Sequence, residues 1–230
     1  MNWGFMFKSF PKLLSVLPIT LYLSIIGTLI GLILAILIAI GREKKIVILT
    51  PILNLFVSVM RGVPTIVQIY IVYYGLPRLI YALFEHGANS KAITLSSMTI
   101  GVVAFALNSS ANLSEAIRAA YHSVDHSQYD AALSVGMTPY EAIKRIVLPQ
   151  LIPNFIPNFT NVFLDIIKDT SLVYNIGIVE IMGKANIIAS FAFNYLEAYL
   201  DALVIYLIVC FIFARILSWL ENIIRRRVFA

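Results

Sequence analysis

Two short polar runs carry the residues able to hold a small charged molecule. In the first, Asn108, Ser109 and Asn112 offer amide and hydroxyl groups that both donate and accept hydrogen bonds. Glu115 and Arg118 follow and add one charge of each sign. In the second, Lys168 and Asp169 stand side by side. Glu115 could pair with an ammonium group, and Arg118 or Lys168 with a carboxylate. Glu115 and Arg118 are three residues apart, however, so on a helix they could equally pair with each other. Lys168 and Asp169 point in different directions, and packing or ligand contact fits both.

Independent catalysis is not expected. Gly183-Lys184-Ala185 lacks the glycine placement and hydroxyl of a phosphate-binding loop, and no nucleophile-elbow or paired-histidine zinc motif occurs. His122 and His126 share helical spacing, but with His86 they make no persuasive metal set, so no metal or cofactor is expected on this chain. Cys210 is the single cysteine, which excludes an intrachain disulfide and suits packing.

The elements that position these residues are membrane spans. The 230-residue chain is 60% hydrophobic and 13% charged, and its mean hydropathy is +0.88. Soluble domains carry about 25% charged residues. From Leu13 to Gly41 no charge occurs, a run well beyond the roughly 20 residues that cross hydrocarbon. Arg42, Lys44 and Lys45 follow it in place of a small-residue cleavage site, so it reads as a retained span. Five spans are predicted, at about 13–40, 56–80, 95–118, 153–178 and 199–220. The second is interrupted by Arg61 and Arg78, and ends its apolar middle in Tyr70, Tyr73 and Tyr74. The fourth holds Pro153, Pro157, Asp165, Lys168 and Asp169, so its charges should face protein or water rather than lipid. Four spans plus a re-entrant segment is the alternative. The expected class is an all-α integral membrane protein, one membrane domain over 1–230.

Basic residues cluster beside span ends. Arg42, Lys44 and Lys45 lie in the first connection, Lys144 and Arg145 in the third, and Arg225, Arg226 and Arg227 in the tail. The other connections hold Lys91 and Lys184 with Glu85, Glu180 and Glu197 near them. This bias puts the C terminus and the loop 119–150 in the cytoplasm and the N terminus outside, which requires an odd number of spans. The formal charge of +5 forms no face suited to nucleic acid, and no such partner is expected. Gly27 and Gly31 lie four apart on one helical face and permit close helix approach, within the subunit or at a dimer contact.

The loop 119–150 has helix grammar of its own. Ser127 followed by Asp130 can cap a short helix over about 128–135, and Gly136 can end it in a left-handed conformation. Thr138, Pro139 and Glu141 supply the cap, first position and third-position acid of a second helix. Ala131 and Ala132 leave room for a close approach, while Leu133 and Met137 offer apolar contact. A mere connector and a docking surface both fit this pattern.

The run Asp130-Ala131-Ala132, Gly136, then Ile146 and Leu148-Pro149 resembles the loop by which ABC-importer permeases dock on their ATPases, with Asp130 where glutamate is usual. Arg61-Gly62-Val63-Pro64-Thr65-Ile66-Val67-Gln68 resembles the opening of a core span in permeases for polar amino acids, the histidine, glutamine and cystine type. Residues 107–118, Leu148-Pro149-Gln150, Lys168-Asp169-Thr170-Ser171-Leu172 and Glu180 follow in the same order, over about 15–225. Val63 and Asn112 depart from the commoner residues of the pattern, and Asn112 could bear on the solute path.

This resemblance implies a type I importer permease fold of about five transmembrane helices with a coupling helix, in a bacterial inner membrane. Asp130, Ala131, Ala132, Leu133, Gly136, Met137 and Pro139 would dock on an ABC ATPase dimer, which holds the ATP and Mg. Asn108, Ser109, Asn112, Glu115, Arg118, Lys168 and Asp169 would line the solute path or its gate, and Arg61 and Gln68 would serve an interface or gating. A second permease subunit, identical or related, and an extracytoplasmic amino-acid-binding protein complete the assembly, since five spans enclose a path poorly. An ion-coupled secondary transporter, or a membrane scaffold that moves nothing, would be the alternatives.

Overall fold

The computed structural model of the chain describes residues 1–84 and 95–229; Glu85, His86 and Lys91 lie outside the described residues, as does the side chain of His126. Every regular element among the described residues is helical. The order is α1 (Trp3–Leu14), α2 (Leu17–Glu43), α3 (Leu49–Gly62), α4 (Thr65–Phe84), α5 (Ser97–His122), α6 (His126–Ser134) and α7 (Pro139–Ala142). A π-helical turn (Ile143–Val147) then leads into α8 (Leu148–Asp169), a 3₁₀ segment (Thr170–Ile176), α9 (Ile181–Ala192) and α10 (Tyr195–Phe229).

Among the described residues, α2, α4, α5 and α10 are long and apolar enough to cross a membrane. A fifth span arises if the helical run Pro139–Ile176 and α9 count as one element, bent by 52°. The span expected over 56–80 is not continuous. Val63 is extended (ψ 135°) ahead of Pro64, and the chain restarts as α4 at Thr65. The residue before a proline is pushed out of the helical region, which accounts for the break. The span expected over 153–178 likewise extends back to Leu148 and stays helical through Pro153 and Pro157. Helices α1 and α9 are additions to the expected layout.

The centre of the bundle is α5, the most buried of the long helices, packed chiefly along α2. Small residues allow that contact. A Cβ on Gly27 would stand 2.8 Å from Phe105 Cβ, and one on Gly31 would overlap Ser109 Oγ while lying 2.8 Å from the Ala106 carbonyl. The Gly27/Gly31 face is therefore spent on packing inside the subunit. One apolar cluster, including Leu23, Ile69, Phe105 and Ile166, holds α2, α4, α5 and α8 together. A second, including Leu13, Phe163, Ile181 and Ile205, joins α1, α8, α9 and α10.

Candidate functional site: a charged cavity and a helical hairpin

The cavity forms where the α3–α4 break faces α5 and α8. Ending one helix at Gly62 and starting the next at Thr65 leaves Arg61, Val63, Pro64 and Thr65 along a wall that a continuous helix would close. Asn108 and Asn112 come from α5, and Asp165, Lys168 and Asp169 from α8, four-residue spacing having set the two acids on one helical face. The cavity is open on one side and its volume is about 440 Å³, within the span of small-molecule sites.

The polar wall is itself hydrogen-bonded. Gln68 Nε2 donates to the carbonyls of Met60 (2.7 Å) and Val63 (2.8 Å), groups that the helix break deprives of helical partners. Asn108 Nδ2 donates to Gln68 Oε1 at 3.0 Å, and Asn112 Nδ2 donates to the Asn108 carbonyl at 3.1 Å. On α8, Lys168 Nζ donates to Asp165 Oδ1 at 2.7 Å, both side chains being more than half exposed. Asp169, on the same face, accepts from Thr65 Oγ1 at 2.9 Å. Arg61 makes no ion pair among the described residues. The cavity thus presents an uncommitted guanidinium, a carboxylate held by a neutral hydroxyl, and a Lys–Asp pair that a charged ligand can open.

Not every residue expected to line a path faces this cavity. Ser109 is fully buried against α2 and donates to the Phe105 carbonyl at 2.7 Å. Glu115 and Arg118 lie further along α5 in an ionic cluster with the end of α2. Arg42 is ion-paired to Glu115, Arg118 Nε meets Glu43 Oε2 at 3.4 Å, and His122 Nε2 stands 3.3 Å from the same oxygen. The Glu115–Arg118 distance within the helix is 4.0 Å. The cluster ties α2 to α5 beside the hairpin that follows.

That hairpin runs from α6 through α7. Its first helix begins at His126, ahead of the expected 128, because Asp125 rather than Ser127 is the cap: its carboxylate accepts from the Ser127 amide at 2.9 Å. Gly136 adopts φ +88° and ends the helix, as expected. Thr138 and Glu141 form a reciprocal capping box with Pro139 at the first helical position. The Glu141 carboxylate accepts from the Thr138 amide at 3.0 Å and from its hydroxyl at 2.9 Å. These bonds hold its pKa below the ordinary value of 4.5. Asp130, Ala131, Leu133, Pro139 and Tyr140 are exposed, Met137 is half-buried, and Ala132 turns inward to α7 and the π turn. Only one of the two alanines is therefore presented outward. Gln150 Nε2 donates to Gln128 Oε1 at 2.6 Å, and Asn154 Nδ2 to Ser123 Oγ at 2.9 Å, which seats the hairpin on the start of α8.

Known proteins resemble this chain over most of its length. The sequence profile of the family described as "Binding-protein-dependent transport system inner membrane component" matches residues 27–227. A probable amino-acid permease, YxeN of Bacillus subtilis, is 34% identical over 213 residues, covering 93% of this chain and 91% of its own. The L-cystine transport system permease TcyL of the same organism is 32% identical over 218 residues, covering 95% and 87%. The crystal structure of an amino acid ABC transporter with histidines superposes with a TM-score of 0.82 at 32% identity, over 94% of this chain and 96% of the other. Subunits of this kind are non-catalytic, and ATP hydrolysis belongs to a separate ATPase. The chain belongs to the family of membrane-integral permease subunits of amino-acid ABC importers.

Proposed function

We propose that this subunit forms one half of the path for a polar amino acid and transmits ATPase movement to it through the hairpin at 126–147. The observation that carries the reading is the cavity at the α3–α4 break, which gathers both signs of charge and two amides in one space. Every α-amino acid brings an ammonium and a carboxylate. Arg61 suits the carboxylate, Asp169 suits the ammonium, and Asn108 and Asn112 can bond either group. The Asp165–Lys168 pair is left to meet the solute side chain. Relatives named for cystine, glutamine and nopaline transport support a polar amino acid or a derivative of one.

The hairpin suits docking on an ABC ATPase dimer, which carries the ATP and Mg. Its exposed face combines Asp130, the small Ala131 and apolar Leu133 and Tyr140, and each of its two helices is capped at its N-terminus. With the basic residues at 42–45, 144–145 and 225–227 in the cytoplasm, the hairpin and C terminus face the ATPase and the N terminus lies outside. A second permease subunit, identical or related, closes the path, and an extracytoplasmic binding protein delivers the solute. A secondary transporter would have no use for a capped, outward-facing hairpin.

Proteoliposomes containing this chain, its ATPase and its binding protein test the reading with a panel of cystine, glutamine, glutamate, histidine and arginine. ATP-dependent uptake that vanishes when this chain is omitted is expected. Uptake driven by an ion gradient without ATP would overturn it.

A further inference from the structure

We propose that α1 is an interfacial helix that binds the headgroup layer of anionic phospholipid and fixes the start of α2 and α10 at that depth. The helix carries three distinct faces. One is pinned to the protein: Ser9 and Leu13 are buried, the Ser9 hydroxyl donates to Asp201, and the Asn2 amide donates to Glu197 Oε1 at 2.9 Å. A second is apolar and open, with Trp3 60%, Phe7 78% and Leu14 40% exposed. At 100° per residue these three fall within an arc of roughly 40°. The third holds the exposed Lys8 and Lys12, about 100° beyond the edge of the apolar arc, and α1 contains no acid.

The anchoring bonds also set the place of α1. They hold it against the first two turns of α10, and its 12 residues advance only about 18 Å, too little to cross the hydrocarbon core. With α10 long and apolar enough to span the bilayer, α1 belongs in the plane of the headgroups at the end where α10 begins. An amphipathic helix in that plane buries its apolar face at the boundary of headgroups and acyl chains, with tryptophan at that level and lysines reaching to phosphate. The charge selects the lipid, since each lysine near a surface favours anionic over neutral headgroups several-fold. The two exposed lysines, with no acid on α1, give this surface the charge that complements an anionic headgroup layer.

The chain has two tryptophans, Trp3 and Trp219, so Trp219→Phe leaves a single reporter on α1. The full chain is reconstituted in bilayers of phosphatidylcholine and phosphatidylglycerol in which one lipid at a time carries bromine on its acyl chain. Trp3 emission is expected to be quenched more by bromine near the headgroup than by bromine deep in the chain. Quenching from brominated phosphatidylglycerol should exceed that from phosphatidylcholine at equal mole fraction by roughly twofold or more. Lys8→Gln with Lys12→Gln should bring that ratio to about one while depth stays the same. No quenching by either lipid, which a protein or water covering would give, overturns the proposal. So does a ratio that ignores the lysines.

Discussion

Asn108 Nδ2 donates to Gln68 Oε1 at 3.0 Å, while the Gln68 amide nitrogen donates to two carbonyls left over by the α3–α4 break. One buried glutamine therefore stabilises an interrupted helix and hands that interruption to the central helix of the bundle. Gln68 is only 4% exposed, so losing its amide takes away the side-chain donor of the Met60 and Val63 carbonyls and the acceptor of Asn108 Nδ2. Gln68→Leu is expected to destabilise the fold by about 1–3 kcal/mol and to raise KM for uptake by widening the wall that carries Arg61. Thermal unfolding of the purified chain together with uptake kinetics checks both parts.

The α2–α5 contact predicts a sharp difference between two neighbouring positions. Gly31→Ala places a Cβ against Ser109 Oγ and 2.8 Å from a backbone oxygen that cannot move aside, so folded yield should collapse. Ser109→Ala removes one hydroxyl, bonded to the Phe105 carbonyl of its own helix and at 3.3 Å to the Gly27 carbonyl of α2, and should cost about 1 kcal/mol. If Ser109 serves packing alone, KM for the solute is unchanged in that variant. A several-fold change in KM would return Ser109 to the solute path.

The Arg42–Glu115 pair bridges α2 and α5 next to the hairpin, with the Arg42 side chain only 9% exposed. Glu115→Gln and Arg42→Gln should each lower stability, and a double-mutant cycle should yield a coupling of about 0.5–3 kcal/mol. Coupling near zero would show that the cluster forms no working tie.

The hairpin also has a pH dependence of known sign. Hydrogen bonds from the Thr138 amide and then its hydroxyl lower the Glu141 pKa below 4.5, with Arg145 adding a smaller effect. A carboxylate with a depressed pKa stabilises the folded form above its ordinary value, and that support disappears as pH falls through the depressed one. Hydrogen exchange of the Thr138 amide is therefore expected to be slow at neutral pH and to lose its protection, relative to Glu141→Gln, only in acid below pH 4.5.

Much of this was legible in sequence because it rests on local chemistry. The Thr138-Pro139-Glu141 box and Gly136 at φ +88° follow from residue types at fixed offsets. Val63-Pro64 carries the signal of the α3–α4 break, since the residue before a proline leaves the helical region. Asp165 carried a usable signal, four residues before Asp169, that assigns it to the cavity wall. Between Asp125 and Ser127, both good caps, only the backbone path decides. The pairing of Arg42 with Glu115 left no trace, since no local spacing links residues on different helices. Nor could sequence turn Ser109 toward α2 and Asn108 toward the cavity, because neighbours on one helix differ only in the face that packing selects.

The most direct test of coupling through the hairpin is ATP hydrolysis and solute uptake measured together in proteoliposomes for wild type and Gly136→Val. A Cβ at this position would meet nothing within 4 Å, so the substitution acts through backbone conformation alone. A β-branched residue disfavours the left-handed region by roughly 1–2 kcal/mol, which should unseat the turn between α6 and α7 while the spans insert normally. The account predicts that uptake falls at least tenfold and that hydrolysis loses its stimulation by solute-loaded binding protein. Uptake and stimulated hydrolysis both at wild-type levels would contradict it.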